Sequence, residues 1–242
     1  MIIQAHRGNS GHAPENTLAA FSSALDVGAD GIECDIHLTA DGRFVVCHDE
    51  TIDRTSTGTG EIAKMTFDQL RQYDFGSWFG TEAKFKGERI PALEEMLEIV
   101  KPMQVINIEI KQFVVGDSTL ANPYKALCEM LREFGIFDKV IISSFSIDAL
   151  REMYEADNEI YTAFLCNPRR QENTIETARS LKCKAIHPQF SNISYNYIRE
   201  AKAAGLAVNV WTANSSEEIL FCKYAGCDTV ITDEPKFART LV

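Results

Sequence analysis

Short, β-rich apolar runs alternate with amphipathic stretches along the whole chain. The runs are Ile2–His6, Gly31–Ile36, Val105–Ile110, Val140–Ser144, Ile160–Leu165, Ala185–Pro188, Ala207–Trp211 and Val230–Thr232. Helical patterns lie between them, as in the stretch TLAAFSSAL that starts at Thr17, with Asn16 expected as its N-cap and Gly28 as its stop. Strands alternating with helices build a parallel sheet. Eight such units in 242 residues predict an α/β fold of the (β/α)8, or TIM-barrel, type. An open doubly wound sheet is the structural alternative, but no GxGxxG follows the first run.

One run breaks the alternation. Arg43–His48 follows Asp41-Gly42 after a short gap, and Asp-Gly signals a hairpin. An extra antiparallel strand, paired with the end of the second barrel strand, is expected there. Residues Glu50–Arg89 are then too long for an ordinary strand-to-helix connection. They are rich in Thr and Gly early and in aromatics late, including Phe75, Trp78, Phe79 and Phe85. They predict a small inserted subdomain within a single domain spanning 1–242. A unit of that size needs a core of its own or a partner surface, so Phe75, Trp78 and Phe79 are expected to be buried.

Composition narrows the partners. The net charge of −11 opposes nucleic acid and anionic lipid surfaces. No stretch reaches the ~18 apolar residues of a membrane span, and no basic amphipathic helix is evident. The cysteine count of seven is odd, without a CxxC pair. Reduced, buried thiols are expected. With an N-terminus that lacks a leader pattern, these features predict a cytoplasmic protein without stable membrane association. The residues do not fix an oligomeric state.

Four of the five histidines, His6, His12, His37 and His48, fall in the first fifty residues. Glu33 and Asp35 are separated by one residue in a predicted strand, so they share a face. Glu109 ends the next strand, with Lys111 again two residues on. Carboxylates held that close repel, and a divalent cation removes the conflict. An oxygen-only set from Glu33, Asp35 and Glu109 favours Mg2+ or Ca2+ over zinc. The alternative is plain ion pairing, for example of Glu109 with Lys111 or Arg7. His6 and His48 have the reference pKa of roughly 6.5 that suits acid–base work. All these residues, with Phe145, Trp211 and Asp233, sit toward the C-terminal ends of predicted strands, where barrel enzymes build their sites. Trp211 and Phe145 either wall a pocket or fill the barrel. His37 continues the row of Glu33 and Asp35 and is expected to be peripheral. His187 is expected to be structural, Glu15 to support the following helix start, and Asp233 to hold Lys111 or a substrate hydroxyl.

The pieces HRG at 6–8, PENT at 14–17 and GIECDIHLTADGRFVVCHDETIDRTSTGTG from Gly31 resemble the glycerophosphodiester phosphodiesterase family. The similarity continues through Phe75–Trp78, Ile90–Glu95, Asn107–Lys111, Ser143–Ser146, Val210–Thr212 and Thr232–Pro235. It covers nearly the whole chain, and so many short pieces in order are specific. The resemblance implies hydrolysis of a glycerophosphodiester to glycerol 3-phosphate and an alcohol such as choline or ethanolamine. It implies metal ligation by Glu33, Asp35 and Glu109, and an acid–base pair of His6 and His48. It also implies an insertion after the second strand, with the barrel resuming near Ile90-Pro91. Arg7, Lys111 and Trp211 are then candidate substrate contacts, since Arg offers a fork that matches phosphate oxygens and Lys a point charge. Attack by the glycerol 2-hydroxyl, through a cyclic phosphate, and direct attack by water both stay open. The rival readings are a lysophospholipase D, a non-catalytic phosphodiester-binding barrel and a metal-dependent isomerase or aldolase on an unrelated barrel. The related spider-toxin phospholipases D lack an insertion of this length.

Overall fold

The computed structural model describes residues 1–80, 83–113 and 120–242. Its elements run β1 Ile2–His6, α1 Leu18–Asp26, β2 Gly31–Leu38, β3 Phe44–Val46, α2 Phe67–Leu70, α3 Leu93–Val100, β4 Val105–Ile110, α4 Pro123–Glu133 and β5 Val140–Ser144. They continue α5 Ile147–Ala156, β6 Tyr161–Cys166, α6 Thr174–Ser180, β7 Ala185–Pro188, α7 Tyr195–Ala203, β8 Ala207–Val210, α8 Ser216–Ala225, β9 Thr229–Thr232 and α9 Pro235–Arg239. The strands pair in the order β1-β9-β8-β7-β6-β5-β4-β2, and β1 pairs with β2 to close the ring. All of those pairings are parallel. The expected (β/α)8 barrel is therefore present, with β3 added antiparallel to β2 outside the ring.

Local chemistry explains the boundaries. The cap of α1 is Thr17, whose Oγ1 accepts from Ala20 N, and not the expected Asn16. Asn16 sits at φ 57° and turns its amide to Asp35 instead, 3.0 Å from Oδ2. Gly28, at φ +75° with open space around it, ends the first helical unit as expected. Strand β2 runs two residues beyond the expected Ile36 because Leu38 still pairs with Phe44 of β3. Gly31 is required by close approach, since a Cβ there would lie 2.3 Å from the Val105 carbonyl oxygen.

Residues that point out of the barrel pack under the helices, as Ile3, Ala5, Ile32 and Ile106 do. The inward positions form layers. The lowest is apolar, with Val105, Ile141, Ala163 and Ala185 plugging the barrel. Above it Gln4, Asn107, Ser143, His187 and Asn209 are polar and buried, where barrels more often carry Val, Ile or Leu. Between β3 and α3 the chain forms a separate apolar cluster of Val45, Cys47, Ile52, Ile62, Leu70, Phe75 and Ile90. Phe75 is buried as expected, but Trp78 is 38% exposed, its ring only edge-on to Phe79. The indole Nε1 of Trp78 reaches the Phe75 carbonyl at 2.9 Å, which fixes the ring at the surface without burying it. All seven cysteines are buried and unpaired. Among the described residues no helix is long and apolar enough to cross a membrane.

His187 is wholly buried, and Asn209 Nδ2 donates to its Nε2 at 2.8 Å, so the ring proton sits on Nδ1, which has no partner among the described residues. Burial pushes its pKa from 6.5 down to about 3. Between those values the unfolded chain binds a proton that the folded chain refuses, so this contribution is complete above pH 6.5 and falls as pH drops toward 3. Urea unfolding across that window should show a His187→Asn variant losing less stability with acid, by up to about 1.4 kcal/mol per pH unit. Parallel slopes for the two proteins would contradict the buried neutral imidazole.

Candidate active site

Three carboxylates converge at the C-terminal end of the barrel. Glu33 and Asp35 alternate inward on β2, and the β2–β4 register sets Asp35 beside Glu109. Their oxygens come within 4.8 Å of one another, and all three residues are buried. Burial, with the charge of Asp35 adding to it, pushes the Glu33 and Glu109 carboxyls well above the ordinary range. Asp35 is pushed the other way: burial opposes its charge, but Lys111 and Arg7 outweigh it. Lys111 Nζ bonds Asp35 Oδ1 at 3.2 Å and also Glu109. Arg7 Nε lies 3.6 Å from Asp35 Oδ2. A buried, oxygen-only set of three carboxylates with this surplus of negative charge fits a hard divalent cation.

Two imidazoles flank this cluster. His6, at the end of β1, donates from Nδ1 to Asp233 Oδ1 at 2.6 Å, and its Nε2 lies 3.9 Å from Glu33 Oε2. Asp233 in turn accepts from Ser10 Oγ at 3.0 Å and Asn214 Nδ2 at 2.6 Å. Burial works against a charged His6, yet the Asp233 bond and the Glu33 charge raise its pKa. The same His6 bond holds Asp233 near 2 against its own burial. His48, beyond β3, donates from Nδ1 to Asp49 Oδ1 at 2.6 Å. Arg54 bonds Asp49 at 2.7 Å and Glu15 at 2.8 Å, and Glu15 takes Arg7 Nη1 at 2.8 Å. Each carboxylate engages Nδ1 and so fixes one tautomer, which leaves Nε2 uncommitted to it.

Arg7 adopts φ 54°, the left-handed region. The turn aims its N–H at Glu33 Oε2, 3.0 Å away. His6, Arg7, Glu33, His48, Glu109 and Trp211 share one cavity of about 120 Å3. Trp211 is held by a 2.8 Å bond from Nε1 to the His187 carbonyl and meets Phe145 edge-on at 5.6 Å.

A model of the glycerophosphoryl diester phosphodiesterase family matches residues 6–237. The chain belongs to that family. It is 36% identical over 242 residues to a glycerophosphodiester phosphodiesterase of Caldanaerobacter subterraneus subsp. tengcongensis, covering 100% of this chain and 97% of that one. Among solved structures, it resembles an Oleispira antarctica phosphodiesterase in complex with the product sn-glycerol-3-phosphate. The TM-score there is 0.90 at 31% identity, covering 100% of this chain and 96% of that one. A glycerophosphodiester phosphodiesterase of Thermotoga maritima gives 0.80 at 27% identity, over 100% and 98%.

The structure of this family member brings His6, Arg7, Glu33, His48, Glu109 and Trp211 to one cavity, with Asp35 beside the other two carboxylates. Lys111 borders a neighbouring cavity of about 140 Å3 with His37 and Glu50, while its ammonium faces the carboxylates. Two expected roles change. Asp233 holds His6 and not Lys111, because β9 closes against β1. Glu15 pairs with Arg7 and Arg54 and does not serve the helix start. His37 is peripheral, as expected, donating from Nε2 to the His48 carbonyl at 3.1 Å. The partners Asp49, Arg54 and Asn214 were not singled out in the sequence; only the adjacency of Asp49 to His48 hinted at one of them. An Asp233→Asn change should lower the pKa of His6, read from the NMR titration of its ring. An unmoved titration would show that Glu33 alone holds that proton.

Proposed function

We propose that this chain hydrolyses glycerophosphodiesters to glycerol 3-phosphate and an alcohol such as choline or ethanolamine. The observation that carries the reading is the pair of carboxylate-fixed imidazoles facing one cavity that also holds Arg7 and the acidic cluster. Glu33, Asp35 and Glu109 would hold Mg2+ or Ca2+, whose positive charge would offset that of the phosphate oxygens when bound. Arg7 adds a guanidinium on the same side, and its bond to Glu15 holds it in place. One imidazole takes the proton of the attacking oxygen, and the other gives its proton to the departing alkoxide. Lys111 bonds Asp35 and Glu109 and, with Arg7, keeps Asp35 charged. Trp211 gives the cavity an apolar wall.

The whole chain is read as one catalytic domain, with residues 50–89 as an insertion beside the His48 edge of the mouth. Their separate apolar cluster supports that division. A charge of −11 favours a small dissolved substrate over nucleic acid or a bilayer. Seven unpaired buried thiols favour a reducing, cytoplasmic setting.

Release of glycerol 3-phosphate from glycerophosphocholine, with and without chelator, tests the reading. Activity should vanish after exhaustive EDTA dialysis and return with Mg2+ or Ca2+. Alanine at Glu33, Asp35 or Glu109 should abolish it and weaken cation binding in calorimetry. Undiminished turnover without metal would remove the cation from the reaction. His6→Ala and His48→Ala should each lose about 10²–10⁴-fold in kcat, with the double variant costing far less than the combined losses, as in units that act together. A His48→Ala enzyme of near-normal kcat would exclude His48 from the chemistry.

A further inference from the structure

The cavity between the histidines continues below the carboxylates. Asn107 and Ser143 line it there. Asn107 lies two residues before Glu109 on β4 and faces the same way, and Ser143 is the β5 partner of Glu109. Both side chains are almost wholly buried. Among the described residues, neither Asn107 Oδ1, nor its Nδ2, nor Ser143 Oγ has a hydrogen-bond partner. Buried amides and hydroxyls are nearly always paired, because an orphaned one weakens the fold. Here the orphaned atoms belong to side chains that border the same space as His6 and Arg7.

The other walls at this depth are Leu165 and Ile231, with Phe145 and Trp211 higher up. Beneath, Val105, Ile141, Ala163 and Ala185 close the barrel. The space is thus apolar at its sides, polar at its floor and shut below. The whole cavity, from the histidines down to this floor, measures about 120 Å3, so its lower part has room for only a few heavy atoms. A short hydroxylated carbon chain matches all of these features. Its carbons meet Leu165 and Ile231, and its hydroxyls meet an amide and a hydroxyl that can each donate and accept.

We propose that Asn107 and Ser143 recognise the glycerol arm of the substrate by its terminal hydroxyl, and that they thereby confine the enzyme to glycerol without an acyl chain. This rests on the phosphodiesterase reading above. With the phosphate between Arg7 and the two imidazoles, the arm directed inward is the glycerol, and the leaving alcohol points to the open mouth. The hydroxyl farthest from the phosphate reaches deepest. In a 1-acyl lysophospholipid that oxygen is esterified: it has lost its proton, and its acyl chain would run into the closed floor. The residues therefore discriminate twice, by an unmet donor and acceptor pair and by lack of room.

Ser143→Ala and Asn107→Ala variants test this with four substrates: glycerophosphocholine, its propane-1,2-diol analogue, 1-acyl lysophosphatidylcholine and the glycerol-free diester bis(p-nitrophenyl) phosphate. The reading taken is kcat/KM for glycerophosphocholine divided by kcat/KM for the phosphocholine diester of propane-1,2-diol, which keeps the 2-hydroxyl and lacks only the terminal one; the glycerol-free diester reports any general loss of rate. That ratio should fall about 10- to 100-fold in each variant, the loss expected for a buried hydrogen bond to substrate. Ligand-free melting temperatures should stay level or rise, since an unpaired polar group has been removed. Wild-type enzyme should strongly prefer glycerophosphocholine to the lysolipid. An unchanged ratio overturns the proposal, as does a lowered melting temperature with all the diesters losing rate together, which would mark the two residues as structural. Equal use of the lysolipid also overturns it. Wild-type protein that cleaves none of the four would remove the phosphodiesterase reading and the subsite together, and so is distinct from failure of the subsite alone. Ser143→Ala removes a single oxygen, so the test survives if Asn107→Ala does not fold.

Discussion

Repulsion among three buried carboxylates is the constraint around which the rest of the barrel mouth is arranged. Two unit charges at ~4 Å and an effective dielectric of ~20 repel by about 4 kcal/mol. A whole domain is stable by only about 5–15 kcal/mol. Glu33, Asp35 and Glu109 therefore could not all stay ionised side by side without compensation. The protein answers Asp35 most fully, with Lys111, Arg7 and the Asn16 amide. Glu33 and Glu109 are left with raised proton affinity. That imbalance is what a divalent cation would relieve, while Lys111 and Arg7 hold Asp35 ionised.

The histidines are held by a second, outer set of charges. His6 leans on Asp233, which Ser10 and Asn214 also bind. His48 leans on Asp49, and the chain of contacts runs on through Arg54 and Glu15 to Arg7. Arg7 and His48 are thus parts of one network. It spans the loop after β1 and the segment after β3, two pieces that no strand pairing joins. Most of these pairs are only partly exposed, where such bonds count for more than at an open surface.

Most of the architecture was legible because its cause is local. Short, β-rich apolar runs mark each barrel strand, and the Asp41-Gly42 turn marks the hairpin. Strand ends were less legible, since the extension of β2 to Leu38 depends on β3 lying beside it. The Asn16 cap failed for a similar reason: Thr17 offers an equivalent oxygen one residue later, and Asn16 is claimed by a carboxylate nineteen positions away. Trp78 was expected inside because a small insertion needs a core of its own. Its indole N–H, satisfied by the Phe75 carbonyl, lets it remain at the surface.

The pattern along the chain is enough to say which side chains share a face of a strand and which chemistry they bring. The i and i+2 spacing of Glu33 with Asp35, and of Glu109 with Lys111, follows from the strand alone. Motif order then pointed to His6 and His48. Only the tertiary structure decided who meets whom. Asp233 reaches His6 across 227 positions because β9 pairs with β1, and Asp35 stands by Glu109 because the β2–β4 register says so. It also decided that Asn107 and Ser143 end up unpaired beneath the site. Direction along a strand is set by neighbouring residues, whereas pairing across strands is set by closure of the whole ring, and no local pattern carries that information.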